Sequence, residues 1–131
     1  MKKIDNIQPI YLEEYDVHVN TYLTYAQIQQ IINGVLNSEN WAIRQQNIDM
    51  LLLYHVTDIK REELENTGHD LLLQSGLIDK VKNNVKNYTQ VLEGLSYTES
   101  IAAALNKIVK TLPSIIETKA KQLKKDKISV S

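Results

Sequence analysis

Three histidines, His18, His55 and His69, are the residues best suited to proton or metal chemistry, and their spacing decides what they can do. A metal site on a helix needs two ligands at i, i+3 or i+4, and none of the three has such a partner. His55 follows Tyr54 in an apolar run, which reads as a neutral core imidazole with one hydrogen bond. His69 stands beside Asp70 at a break in the pattern and is the better functional candidate, although a His-Asp pair at a helix start commonly serves as a cap. The acid pairs Glu13-Glu14 and Glu62-Glu63 are sequence neighbours. On a helix they would diverge by about 100°, whereas two catalytic carboxylates converge, so they read as solvated face. Neither a GxGxxG nor a GxxxxGK[ST] pattern occurs, so no glycine loop brings backbone N–H groups onto a phosphate. Trp41, the sole tryptophan, has Arg44 three residues on, a spacing that lets the guanidinium stack on the indole; a core or helix-contact role is favoured over ligand binding. These residues predict no enzyme, no cofactor and no metal.

Two further patterns bear on partners. Lys119, Lys121, Lys124, Lys125 and Lys127 put five lysines among nine residues, an electrostatic footprint that could follow a phosphate backbone. The stretch contains no arginine or aromatic residue, so base readout is not expected and solvated surface is the favoured reading. The apolar stripe Ile116, Ala120 and Leu123 among those lysines is too thin to anchor a helix on a membrane. The longest apolar runs, Met50 to Tyr54 and Ile101 to Leu105, are far short of the roughly 20 residues that span a bilayer.

The elements that would position these residues follow from periodicity. Up to residue 23 there is no helical period, and Tyr15, Val17 and Val19 alternate with Asp16 and His18; this predicts an extended N-terminal arm over 1–23. Thr24 with Gln27 fits a capping box, and Ile28, Ile31, Ile32, Val35 and Leu36 recur on one helix face. Asn37 and Ser38 end that helix and cap the next, which carries Trp41, Ile48, Leu51, Leu52 and Val56 and is apolar nearly all round from Met50 to Val56. That half should be enclosed. Thr67-Gly68 marks a stop or kink, and Gly76 a C-terminal cap. Ile78, Val81, Val85, Tyr88 and Leu92 keep helical spacing to Gly94, with Lys80, Lys82, Asn83, Lys86 and Asn87 on the outer side. Ser96 with Glu99 suggests a second capping box for a helix through Ile101, Leu105, Ile108, Val109 and Leu112 that ends at Pro113, after which a last Lys-rich helix restarts.

Length and composition fit that outline. A chain of 131 residues suits one domain, 24–131 beyond the arm, with a core large enough to fold without staples. Four glycines, two prolines and no phenylalanine favour helices over sheet. The absence of cysteine excludes thiol catalysis and thiolate metal sites, and biases the chain towards a cytosolic setting. The opening Met1-Lys2-Lys3-Ile4 has no apolar run behind it and does not read as a signal peptide. Net charge is -1, yet residues 1–65 hold ten acids against five Lys and Arg while residues 66–131 hold six against ten. Halves of opposite sign suit either an internal match or head-to-tail contact between copies, with Glu62, Glu63 and Glu65 of one subunit facing Lys119, Lys121 and Lys124 of the next.

The stretch Tyr22-Leu23-Thr24-Tyr25-Ala26-Gln27-Ile28, with Trp41, Arg44, Ile48-Asp49-Met50-Leu51-Leu52 and Gly68-His69-Asp70, resembles small helical virion proteins of phages infecting Gram-positive bacteria. The resemblance implies a connector, neck or inner-core component in several copies, located in the virion and assembled in the host cytoplasm. The sequence reading is therefore an all-α fold of about five helices in an irregular bundle. Its partners would be itself as a homo-oligomer and other virion proteins, with nucleic acid not favoured and no membrane. The alternative is a small regulatory protein that binds and inhibits a host protein or nucleic acid.

Overall fold

The computed structural model describes the backbone of residues 1–4 and 7–130, and the side chains of those residues apart from 114–116 and 122–130. Among the described residues the chain forms strands β1 (Ile10–Leu12) and β2 (Val17–Val19), then helices α1 (Tyr25–Val35), α2 (Trp41–Val56), α3 (Arg61–Thr67), α4 (His69–Gln74), α5 (Leu77–Asn84) and α6 (Thr89–Val130). The fold is mostly helical with a small sheet, not purely all-α. It divides into two compact units, residues 1–95 and 96–131.

The segment expected as an arm is part of the first unit. β1 and β2 pair antiparallel with Ile10 opposite Val19 and Leu12 opposite Val17. The turn between them places Asp16 at φ 52, a left-handed conformation that a short polar side chain tolerates. Period-two alternation sends Val17 and Val19 inward and His18 outward, and Leu12 and Leu23 are buried with them. Asn20 N donates to Val56 O at 2.7 Å and Asp58 N to His18 O at 3.3 Å, so β2 is laced to the end of α2. A polar segment joins the core here because every second side chain is apolar.

Thr24 caps α1 as expected, accepting from Gln27 N at 3.1 Å while the Gln27 amide accepts from Thr24 N at 2.9 Å. The next cap is Asn40, whose Oδ1 accepts from Ile43 N at 3.0 Å, and not Ser38, whose hydroxyl donates back to Val35 O. The apolar half of α2 is enclosed: Leu52, Leu53 and Val56 are buried, and Met50, Leu51 and Tyr54 pack against the core. Gly68 and Gly76, both at φ 83, separate α3, α4 and α5, a conformation that favours glycine.

Three local signals were overridden. The helical spacing expected from Ile78 to Gly94 is broken at Val85, which ends α5 in extended conformation. Long-range bonds pin the break. Lys86 N donates to Thr21 O at 2.8 Å, while Asn87 accepts from Leu23 N at 2.8 Å and donates to Leu23 O at 2.9 Å. Helix α6 then continues through Ser96, the expected cap, and through Pro113, the expected stop. In its first turns Val91 and Leu95 are buried, and Gly94 lies so close to α1 that a Cβ there would meet Ile32 Cδ1 at 2.7 Å.

Deleting residues 1–20 removes three buried side chains, Leu12, Val17 and Val19, together with the β2 to α2 bonds. At about 1.5–3 kcal/mol each, the loss of about 5–9 kcal/mol rivals the about 5–15 kcal/mol of a whole domain. The truncated chain should lose its cooperative thermal transition by circular dichroism. A transition like that of the full chain would mean the hairpin contributes nothing to the fold.

Candidate functional site

Asp49 has no partner within reach along the sequence, and the fold supplies two. It lies in the apolar half of α2 between Ile48 and Met50, with a side chain only 5% exposed. A buried carboxylate is costly unless it is paired and hydrogen-bonded. Two cationic or donor groups reach it from different helices. His69 Nε2, at the start of α4, is 2.7 Å from Oδ2, and Lys82 Nζ, on α5, is 2.6 Å from Oδ1. The Lys82 ammonium also lies 5.6 Å from the centre of the Tyr88 ring. One carboxylate thus ties α2, α4 and α5 together.

The electrostatics follow. Burial pulls the Lys82 ammonium down, but the hydrogen bond to Asp49 and the fields of Tyr88, Asp49 and Asp79 outweigh it and hold its pKa above the usual lysine value. Burial raises the Tyr88 phenol, against the opposing charge of Lys82. An Asp–His pair resembles the orienting half of a catalytic triad, in which the second ring nitrogen faces a hydroxyl or thiol. Here Nδ1 of His69 lies 3.8 Å from Asp70 Oδ1. That separation is beyond hydrogen-bond range, and the Asp70 side chain is exposed, so the ring is held from the Asp49 side.

The other histidines also find local roles. His18 Nδ1 is 2.9 Å from Asp58 Oδ2, and its backbone N–H donates to Asp58 Oδ1 at 2.9 Å; the latter bond is the main reason the exposed Asp58 carboxyl is held below its usual range. The Tyr11 ring lies 4.8 Å from that of His18. His55 is partly buried, and burial lowers its pKa, which favours the neutral ring. Among the described residues no group of three or more His, Cys, Asp or Glu could hold a metal ion. A cleft of about 360 Å³ opens between the hairpin turn and α3, with Asp16, Asp58 and Glu63 among its walls and no His, Lys or Arg.

Several sequence expectations change place. Lys82, assigned to an outer face, turns inward to Asp49, and Asn87, assigned there too, clamps the backbone of Leu23. Trp41, expected in a core or helix contact, is 74% exposed. The acids Glu62, Glu63 and Glu65 are exposed on α3, with Glu65 held by Arg61 at 3.0 Å. Lys119 and Lys121 are exposed on α6, Lys121 lying 4.0 Å from Glu117. The side chains of Lys124, Lys125 and Lys127, and of Ile116 and Leu123, lie outside the described residues. These acids and lysines belong to different units. No described helix is long and apolar enough to cross a membrane.

A row of exposed apolar side chains lies on the second unit. Tyr97, Ile101, Leu105, Ile108, Val109 and Leu112 are all exposed on α6, where the sequence had read a helix with an apolar face. The stripe was legible; its lack of cover was not.

Asp49→Asn should destabilise the fold by about 3 kcal/mol in urea denaturation, the low end of 3–5 for breaking a buried pair, because Lys82 keeps 23% exposure and can reach water. An unchanged midpoint would show that the carboxylate holds nothing. Because the folded pKa of Lys82 is raised, its contribution is complete below the ordinary lysine pKa of 10.5 and fades as pH rises through the folded value. Stability of the parent should therefore fall above that pH, and a Lys82→Met chain should show a smaller alkaline loss.

Compared with known protein families, curated proteins and solved structures, the chain matches none.

Proposed function

We propose that this chain is a non-enzymatic structural or assembly protein that works through protein–protein contact, a phage virion component of the head–tail junction present in several copies. The observation that carries the reading is the uncovered apolar face of α6 from Tyr97 to Leu112, since contiguous apolar surface of that extent marks a contact site. The Asp49 cluster supports it from another side: its contacts join α2, α4 and α5 and suit holding helices. The resemblance of Tyr22 to Ile28, of Ile48 to Leu52 and of Gly68-His69-Asp70 to phage virion proteins supplies the setting. Apolar contact does the holding in this reading. Exposed charges such as Glu62, Glu63, Lys119 and Lys121 steer association, because surface ion pairs contribute only about 0–1 kcal/mol each.

Light scattering on the full chain over a concentration series tests this. The expected mass is a multiple of 15.0 kDa. Salt near 1 M, where the screening length is about 3 Å, should slow association without abolishing it. A 15.0 kDa particle at every concentration would overturn the multi-copy reading and favour a monomeric regulator.

A further inference from the structure

The spacing along the exposed face of α6 carries more than its hydrophobicity. Ile101, Leu105, Ile108 and Leu112 are separated by four, three and four residues, the 3.5-residue period of a coiled coil. In heptad terms Thr98, Leu105 and Leu112 occupy a positions, and Ile101 and Ile108 occupy d positions. The e positions are Ala102 and Val109, and the g positions Tyr97, Ala104 and Thr111. Every charge between residues 97 and 112, namely Glu99, Lys107 and Lys110, falls on an outer b, c or f position.

Two features choose the occupant. Leucine at a with isoleucine at d favours three or four parallel strands over two. Uncharged e and g positions agree, because a larger bundle buries those flanks whereas a dimer leaves them wet and usually charged. The amount of surface fits as well: six side chains at 43–69% exposure leave on the order of 600 Å² uncovered per chain, near the about 800 Å² per partner of a stable interface.

Resting on the contact-protein reading above, we propose that residues 97–112 of α6 form a parallel bundle with the same segment of two or three further copies of this chain. Identical residues then meet in layers around a rotation axis, Leu105 with Leu105 and Ile108 with Ile108. The contacts are heterologous and close into a ring of three or four. Lys119, at the next a position after Leu112, is exposed. Layered with its own copies it would bring like charges together, so the apolar seam ends before it.

The test uses the full chain, whose lack of cysteine makes an introduced one unique. The parent should scatter as three or four times 15.0 kDa. The double variant Leu105→Asp, Ile108→Asp should fall to a single chain with the parent's urea transition, since both side chains are more than half exposed. Leu105→Cys should cross-link to itself on oxidation, while Lys110→Cys, on the outer face, should not. A monomeric parent overturns the bundle and the multi-copy reading together. A parent oligomer that survives the double aspartate substitution, or one in which Cys at 105 fails to cross-link, overturns the bundle alone.

Discussion

A carboxylate that cannot reach water must be matched, and that requirement organises the middle of this fold. Helices α3, α4 and α5 have seven, six and eight residues, below the about 12–15 at which an isolated helix becomes even marginal in water. Their order has to come from tertiary contact. Leu64, Leu72, Ile78 and Val81 supply apolar burial, which is strong but non-directional. The Asp49 carboxylate adds direction, because His69 of α4 and Lys82 of α5 each reach one of its two oxygens. Gly68 and Gly76 make that placement possible by turning the chain between such short segments.

The same logic explains why so small a sheet belongs to the domain. Two strands of three residues are not independently stable, yet β2 buries Val17 and Val19 and joins its backbone to the end of α2. The first unit buries one apolar core, although Trp41, Tyr25 and Leu71 stay exposed on it. The second unit carries a run of large apolar side chains at regular spacing and leaves them uncovered. The regular spacing of that open stripe is the physical basis of the functional reading.

Where the sequence announced a feature locally, it was legible. The Thr24 box needs only Gln27, the α1 face needs only its period, and the left-handed Gly76 needs only its missing Cβ. Features set by distant partners were not. Lys82 and Asn87 have the polarity of surface residues, and nothing nearby says that one meets Asp49 and the other Leu23. Ser96 and Pro113 are ordinary helix punctuation that α6 passes through. Asp49 was the one readable clue to the buried cluster, a lone acid among Ile48, Met50, Leu51 and Leu52 that periodicity alone cannot pair.

The double hydrogen bond between Asn87 and the backbone of Leu23 spans 64 residues. It has a consequence in time. Synthesis proceeds at about 5–20 residues per second, so roughly 3–13 s separate the emergence of Leu23 from that of the residue that fastens it. Throughout that interval the inward face of the hairpin, Leu12, Val17 and Val19, has only part of its cover, and Val91 and Leu95 come later still. The hairpin is thus made first and fastened late, by one of the last pieces of the first unit to be synthesised.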